Sequence, residues 1–243
     1  RKRNLLAPWY RYVMRRMTKV IAVSEAARDA MGRYARFDST IIGNGVDCDA
    51  FQRGRPMARF ADGLTNVLTV GRLEHRNGID VIIDAFALIA REQPRLRLLI
   101  AGEGPSRAQY EAQVSRLPAS IASRVVFLGA VWQERPDLYA SAQCFALGAR
   151  KASFSILLLE ALAAGLRVAA LPGEGTSRAG DHWSIAEMSA SETPEAYADA
   201  LRRALVPSTP DAVARARAMA RRHDWSLVVP RIRRVYEEAL CRA

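Results

Sequence analysis

Two cations, Arg150 and Lys151, stand between an apolar run, Cys144-Phe-Ala-Leu147, and a second apolar stretch from Phe154 to Ala164 that stops at Gly165. The first run reads as a strand. The second reads as a helix starting near Ser153 or Phe154 and ended by the glycine. A strand that feeds a helix start brings unpaired backbone N–H groups and positive charge to one place, an arrangement suited to phosphate. Ser155 and Ile156 belong to the same turn. Glu160 lies further along the helix, deep enough for its carboxylate to reach past phosphates to a ribose hydroxyl. The same carboxylate would serve equally well as a buried cap or ion-pair partner.

Three other loops have the composition of a ligand rim. Gly71-Arg72-Leu73-Glu74-His75-Arg76-Asn77-Gly78 follows one apolar run. Gly71 permits close backbone approach, and Arg72 is placed for a forked grip on phosphate oxygens. Gly102-Glu103-Gly104-Pro105 follows a second run; it has neither the spacing of a dinucleotide fingerprint nor the Lys-Ser/Thr of a P-loop. Gly129-Ala130-Val131 follows a third, where backbone groups would hold a flat base.

These loops need strands to carry them. Val67–Val70, Leu96–Ala101, Val125–Leu128, Cys144–Leu147 and Val168–Leu171 are short runs rich in Val, Ile and Leu without polar alternation, as in strands buried on both faces. Between them the pattern predicts helices over Ile79–Glu92, Ser106–Leu117, Pro136–Ala142 and Phe154–Ala164. The order implies an α/β fold with a Rossmann-like, doubly wound parallel sheet. Ligands of such sheets sit beyond the carboxyl ends of the strands, where these loops lie. Upstream, Val20–Ser24 and Thr40–Ile42 read as two more short strands, with a helix over Glu25–Tyr34 capped by Ser24. Residues 48–65 read as a linker and 172–193 as irregular. Helices are expected at Pro194–Leu205, Asp211–Arg222 and Ser226–Leu240. His182 and Trp183 would pack the irregular loop or touch a ligand.

Composition narrows the function. The net charge is +11, which favours anionic partners, but no zinc-finger spacing or RNP-like motif points to nucleic acid. Arg1, Lys2, Arg3, Arg11, Arg15, Arg16 and Lys19 alternate with Leu5, Leu6, Trp9, Tyr10, Tyr12, Met14 and Met17. That segment would suit an acidic leaflet, or would pack on a further domain. No apolar run approaches the roughly 18 residues of a membrane span. The three cysteines and three histidines are dispersed, so neither a disulfide framework nor a metal site is expected, and the thiols suit a cytoplasmic protein. With no initiator Met and no leader pattern, the chain is expected to be part of something longer.

From Val20 onward the sequence resembles the GT-B glycosyltransferases of the large retaining family 4. The matching pieces are Val20-Ile-Ala-Val-Ser-Glu25, Ile42-Gly-Asn-Gly-Val-Asp47, Val70-Gly-Arg-Leu73 with Gly78-Ile-Asp80, Leu99–Pro105, Val126-Phe-Leu-Gly129, Phe154–Gly165 and Asp224-Trp225. The resemblance implies a donor domain over 66–224 for a nucleotide diphosphate sugar. It implies that 1–47 are the tail of an N-terminal acceptor domain, most of it absent, and that 225–243 form a helix returning to brace it. It implies that Arg72 grips the donor diphosphate, Gly129 and Val131 contact the base, Glu160 binds the ribose, and Phe154 and Ser155 stand beneath the phosphate. No metal or other cofactor is implied. The acceptor would be a glycan or lipid-linked molecule at the inner face of the membrane.

Three positions depart from the family pattern. Ala152 stands where the first Glu of Glu-x7-Glu is usual. Asn77 replaces a Lys, with Arg76 and Lys151 as possible substitutes. Pro172–Arg178 replaces a Gly-Gly-x-Pro-Glu loop. The expectation is a glycosyltransferase of surface polysaccharide or glycolipid synthesis. The alternative is a catalytically silent relative that binds a nucleotide sugar or a partner enzyme. A sugar epimerase or a phosphorylase fits less well, because no pyridoxal-binding Lys motif is present.

Overall fold

Residues 7–34, 37–151, 154–173 and 181–241 are described by the structure, a computed structural model. Helix α1 (Ala7–Met14) leads to strand β1 (Ile21–Ala22), helix α2 (Glu25–Gly32), strand β2 (Thr40–Ile41) and helix α3 (Cys48–Arg53). The main alternation is β3 (Thr65–Val70), α4 (Ile79–Ala90), β4 (Leu96–Ala101), α5 (Arg107–Ser115), α6 (Ala119–Ala122), β5 (Val125–Gly129), α7 (Arg135–Ala140), β6 (Cys144–Leu147), α8 (Ile156–Ala164), β7 (Arg167–Ala170) and β8 (Glu187–Met188). Helices α9 (Pro194–Ala204), α10 (Pro210–Arg221) and α11 (Trp225–Leu240) follow.

Strands β3 to β8 form one parallel sheet in the order β5-β4-β3-β6-β7-β8. The chain winds outward from β3 in one direction and from β6 in the other, so the switch point lies between those two strands. Helices cover both faces, which is why the strands lack polar alternation. Val67, Leu98, Cys144 and Ala169 point into a layer with α4, α5 and α9. Leu68, Leu99, Phe145 and Val168 point into the opposite layer with α3, α7, α8 and α10. Successive residues of one strand therefore feed two cores.

Two expectations are corrected. Residues 48–65 are not a bare linker: Cys48–Arg53 is helical, capped by Asp47, whose side chain accepts from Ala50 N at 2.9 Å. Phe51 and Phe60 anchor this stretch in the second core layer. The stretch 172–193 is not wholly irregular: Asp181–Ile185 forms a 3-10 turn, and β8 pairs with β7. Trp183 is buried in the second core layer. Residues 174–178 of the replaced loop lie outside the described residues.

The strands β1 and β2 make a separate parallel pair. Ile21 and Ile42 there pack against Val228, Ile232 and Val235 of α11. The chain passes this pair twice, and the passages are stitched together. Val46 N donates to His223 O at 2.9 Å, and Trp225 N to Val46 O at 3.2 Å. Asp224 caps α11 through Ser226 N at 2.9 Å and also accepts Cys48 N at 3.2 Å. Those donors hold the Asp224 carboxyl down at about 2, the Ser226 bonds contributing most.

Candidate active site

The loops after β3, β4 and β5 meet α7 and α8 around a cavity of about 370 Å³ at the carboxyl edge of the sheet. Val70, Gly71, Arg72, Gly102 and Glu103 form one side, Ala130, Val131 and Trp132 another, and Arg135 and Leu157 close it. Backbone bonds continue past the strand ends and make the floor rigid. Gly71 N donates to Ala101 O at 2.9 Å, Gly102 N to Gly129 O at 2.7 Å, and Leu73 N to Glu103 O at 3.0 Å.

This explains two glycines in a way the sequence did not suggest. A Cβ on Gly102 would collide with the Gly71 carbonyl oxygen, and one on Gly104 with the Leu73 backbone. They let adjacent loops close on each other, and the N–H groups of Gly71 and Gly102 are spent within the protein. Gly129 ends β5 with φ near +73°, and Val131 presents itself to the cavity two residues later.

Arg72 stands exposed at the cavity mouth, paired with Glu74. Arg76 reaches the same carboxylate at 2.7 Å. The bond from Arg76, reinforced by Arg72, holds the Glu74 carboxyl below the usual range. Asn77 does not replace a cation: its Nδ2 donates to the Arg72 carbonyl at 2.6 Å and closes the loop.

The expectation that Arg150 contributes positive charge to the anion site is corrected. Its guanidinium forks onto Asp80 at 2.8 and 3.0 Å, reaches Glu192 at 3.2 Å and donates to the His75 carbonyl. The bonds to Asp80 push its own pKa up. Arg150 clamps the loop after β6 to the start of α4. Lys151 is exposed beside it, and Ala152 lies outside the described residues.

Helix α8 starts at Ile156, later than the spacing implied, because Ser155 stays extended and its hydroxyl accepts from Leu158 N at 3.2 Å. Gly165 ends the helix in the left-handed conformation, as expected. Leu157 brings the first turn to the cavity wall. Phe154 turns toward the crossing segment and meets His223 edge-on, ring centroids 5.6 Å apart. Burial pushes the His223 pKa down.

Glu160 is 5 % exposed and does not line the cavity. One carboxylate oxygen accepts from the Arg135 guanidinium and from the Tyr139 hydroxyl at 2.9 Å. Burial raises the Glu160 pKa, against the pull of Arg135 and Tyr139. Arg135 itself reaches the cavity, and sequence reasoning missed it. Its only local signal is the i, i+4 spacing to Tyr139, which puts both on one face of α7. Trp132, at the rim, was also missed; it is 78 % exposed.

The cavity lining thus includes two arginines, Arg72 and Arg135, the first turn of α8 at Leu157, mostly apolar walls and the exposed indole of Trp132. It suits an elongated anion bearing a flat group. A family profile described as glycosyl transferases group 1 matches residues 65–206, the span carrying all six strands of the main sheet.

The chain belongs to that family.

This transferase-family chain is 32 % identical to a phosphatidyl-myo-inositol mannosyltransferase of Mycobacterium tuberculosis over 243 aligned residues, covering 96 % of this chain and 62 % of that one. It is 31 % identical to the lipopolysaccharide core biosynthesis mannosyltransferase LpsB of Rhizobium meliloti, covering 67 % of this chain and 47 % of the relative. It thus spans less than two thirds of the length of either. Among solved structures, Anabaena HepE in complex with UDP and glucose superposes with a TM-score of 0.77 at 19 % identity, covering 95 % of this chain and 67 % of that one. The fold is that of the GT-B glycosyltransferases.

Proposed function

We propose that the protein is a retaining glycosyltransferase that moves a sugar from a nucleoside diphosphate sugar to a glycan or lipid-linked acceptor, in surface polysaccharide or glycolipid synthesis. The observation that carries this is the cavity at the carboxyl edge of the sheet, beside the switch point, with Arg72 at its mouth and the start of α8 on its wall. UDP bound to the structural neighbour and the glycolipid and polysaccharide names of the sequence relatives support the same assignment.

In this reading Arg72 and the first-turn N–H groups of α8 face the diphosphate. They stabilise it as negative charge grows on the leaving group, which is electrostatic preorganisation. The pairing of Arg72 with Glu74 leaves the arginine side chain 65 % exposed, so an incoming diphosphate exchanges a solvent-screened partner for a doubly charged one. Residues 1–47 are read as the end of an acceptor domain and α11 as its brace. Basic, aromatic α1 exposes Trp9 and Tyr12 beside Arg11, Arg15 and Arg16, a composition suited to peripheral contact with an anionic inner leaflet. Among the described residues, no helix is long and apolar enough to cross a membrane.

Asn77, spent on the Arg72 carbonyl where the family has a Lys, favours a second reading: a silent relative that keeps nucleotide binding without transfer. One experiment separates them. The full-length protein is incubated with labelled UDP- and GDP-sugars and a bacterial glycolipid extract, and label transfer is followed. Transfer abolished by Arg72→Ala supports the enzyme; nucleotide binding without transfer in any combination supports the silent relative.

A further inference from the structure

Trp132 stands apart from the other three tryptophans of the chain. Trp183 is buried, Trp9 meets Tyr10 edge-on with ring centroids 5.4 Å apart, and Trp225 lies over Gly45, where an added Cβ would strike its ring. Trp132 has no ring partner among the described residues. A single exposed apolar side chain is ordinary on a protein surface, but this one stands on the wall of a cavity. Sheet order decides what would meet it. Arg72 follows β3 and the first turn of α8 follows β6, and those two strands are neighbours. Trp132 follows β5, two strand positions from β3, roughly 10 Å away at the usual spacing. The cavity runs in that direction, past Gly102 and Glu103 after β4 to Val131 and Trp132. Gly129, with φ near +73°, turns the chain there. A molecule with its phosphates at Arg72 and α8 therefore extends its other end toward the indole. Walls of Val70, Ala101, Val131 and Leu157 offer few partners to a hydroxyl-rich sugar and suit a flat ring.

We propose that Trp132 is the stacking face for the nucleobase of the donor, and that it sets how strongly affinity depends on the size of that base. Every base has a π-face, so an indole holds a base without reading its edge. A purine covers more of the indole than a pyrimidine does, and gains more from it. Trp132 thus adds affinity at the end of the cavity away from the phosphates, independently of Arg72.

The inference rests on the donor reading, and the test keeps the two apart. Calorimetric affinities for GDP, ADP, UDP and pyrophosphate are measured on the full-length protein and on its Trp132→Ala, Trp132→Phe and Arg72→Ala variants. Trp132 is exposed, so its variants are expected to fold, and circular dichroism confirms that each does. In Trp132→Ala, GDP and ADP bind about tenfold more weakly and UDP about threefold, while pyrophosphate, which has no base, is unaffected. Trp132→Phe keeps a ring and binds GDP within about threefold of wild type. Arg72→Ala weakens all four ligands. Nucleotides also quench the indole emission of the wild type, and Trp132→Phe loses that quenching although it still binds. Nucleotide affinities unchanged in Trp132→Ala overturn the proposal and leave the donor reading intact; slowed transfer in that variant would then place the indole on the acceptor side. An equal loss for pyrophosphate also overturns it, because the indole would then act on the phosphates. Absence of binding by all three nucleotides to the wild type overturns the donor reading and this proposal with it.

Discussion

Replacing Arg150 with alanine separates a clamp from a phosphate ligand. The guanidinium makes two bonds to Asp80, at 2.8 and 3.0 Å, one to Glu192 at 3.2 Å, and one to the His75 carbonyl. Its side chain is 16 % exposed, that of Asp80 26 % and that of Glu192 49 %. The Glu192 contact is near the surface and is worth roughly 0–1 kcal/mol. The Asp80 fork is largely screened from solvent, and each charge-assisted bond there contributes about 1.5 kcal/mol or a little more. Water reaching the truncated site returns part of this, so the loss is about 2–3 kcal/mol rather than the 3–5 of a fully buried pair. For a chain of this length, 1 kcal/mol moves the melting point by about 2 °C, giving a fall of about 4–6 °C. Nucleotide affinity, which on this account does not use Arg150 directly, falls by less than about threefold. Arg72→Ala has the opposite profile: a melting point within about 1 °C of wild type and an affinity reduced about tenfold or more, since its own pair is exposed. Differential scanning fluorimetry and calorimetry on the two variants read both quantities. An Arg150→Ala protein that melts like wild type while losing tenfold in affinity refutes the reasoning, because Arg150 would then be a phosphate ligand.

Two further outcomes follow from the crossing segment and the cavity floor. Asp224 has a folded-state pKa of about 2, below the ordinary 3.8, so it contributes stability above pH 4 that is lost as pH falls toward 2. Allowing for solvent screening, Asp224→Asn costs roughly 1–2 kcal/mol at pH 6, and in urea melts the gap to wild type narrows by pH 3; a gap independent of pH rules this out. Gly102→Ala, whose Cβ would enter the Gly71 carbonyl, is expected to lose more than about 3 kcal/mol, whereas Gly32→Ala, with open space around it, gains about 0.4–1 kcal/mol. Equal effects of the two in thermal melts would show that the floor is not close-packed.

The strands were legible because burial on both faces leaves a plain sequence mark. Leu96–Ala101 and Cys144–Leu147 are found in the structure with the boundaries the pattern predicts. Strand β8 was not legible. Glu187 and Met188 are only half-buried, and the strand is held at the sheet edge by the Arg167–Glu187 pair, 20 positions apart. The helix at Cys48–Arg53 was hidden for a similar reason: Arg, Gly and Pro punctuate the stretch, while its anchors Phe51 and Phe60 matter only once α7 and α8 are in place.

Within the site, Arg72, Gly71, Val131 and the start of α8 were reached from loop order alone, since a doubly wound sheet sends those loops to one edge. Arg150 was misjudged because a cation before a helix looks the same in sequence whether or not it is paired; Asp80 lies 70 positions away. Arg135 was missed on the same principle, its partner Glu160 being 25 positions on. Glu160 reads in the sequence as a ribose ligand or as a buried ion-pair partner; the structure shows the pairing, with Arg135, which itself lines the cavity.

The central claim, that this cavity takes a nucleoside diphosphate, is tested most directly by amide and indole chemical-shift mapping with UDP and GDP. The account predicts saturable shifts centred on Gly71, Arg72, Val131, Trp132 and Leu157, with the midpoint moved to about tenfold or more higher nucleotide concentration in Arg72→Ala. Shifts that saturate elsewhere, or that persist unchanged in Arg72→Ala, would contradict it.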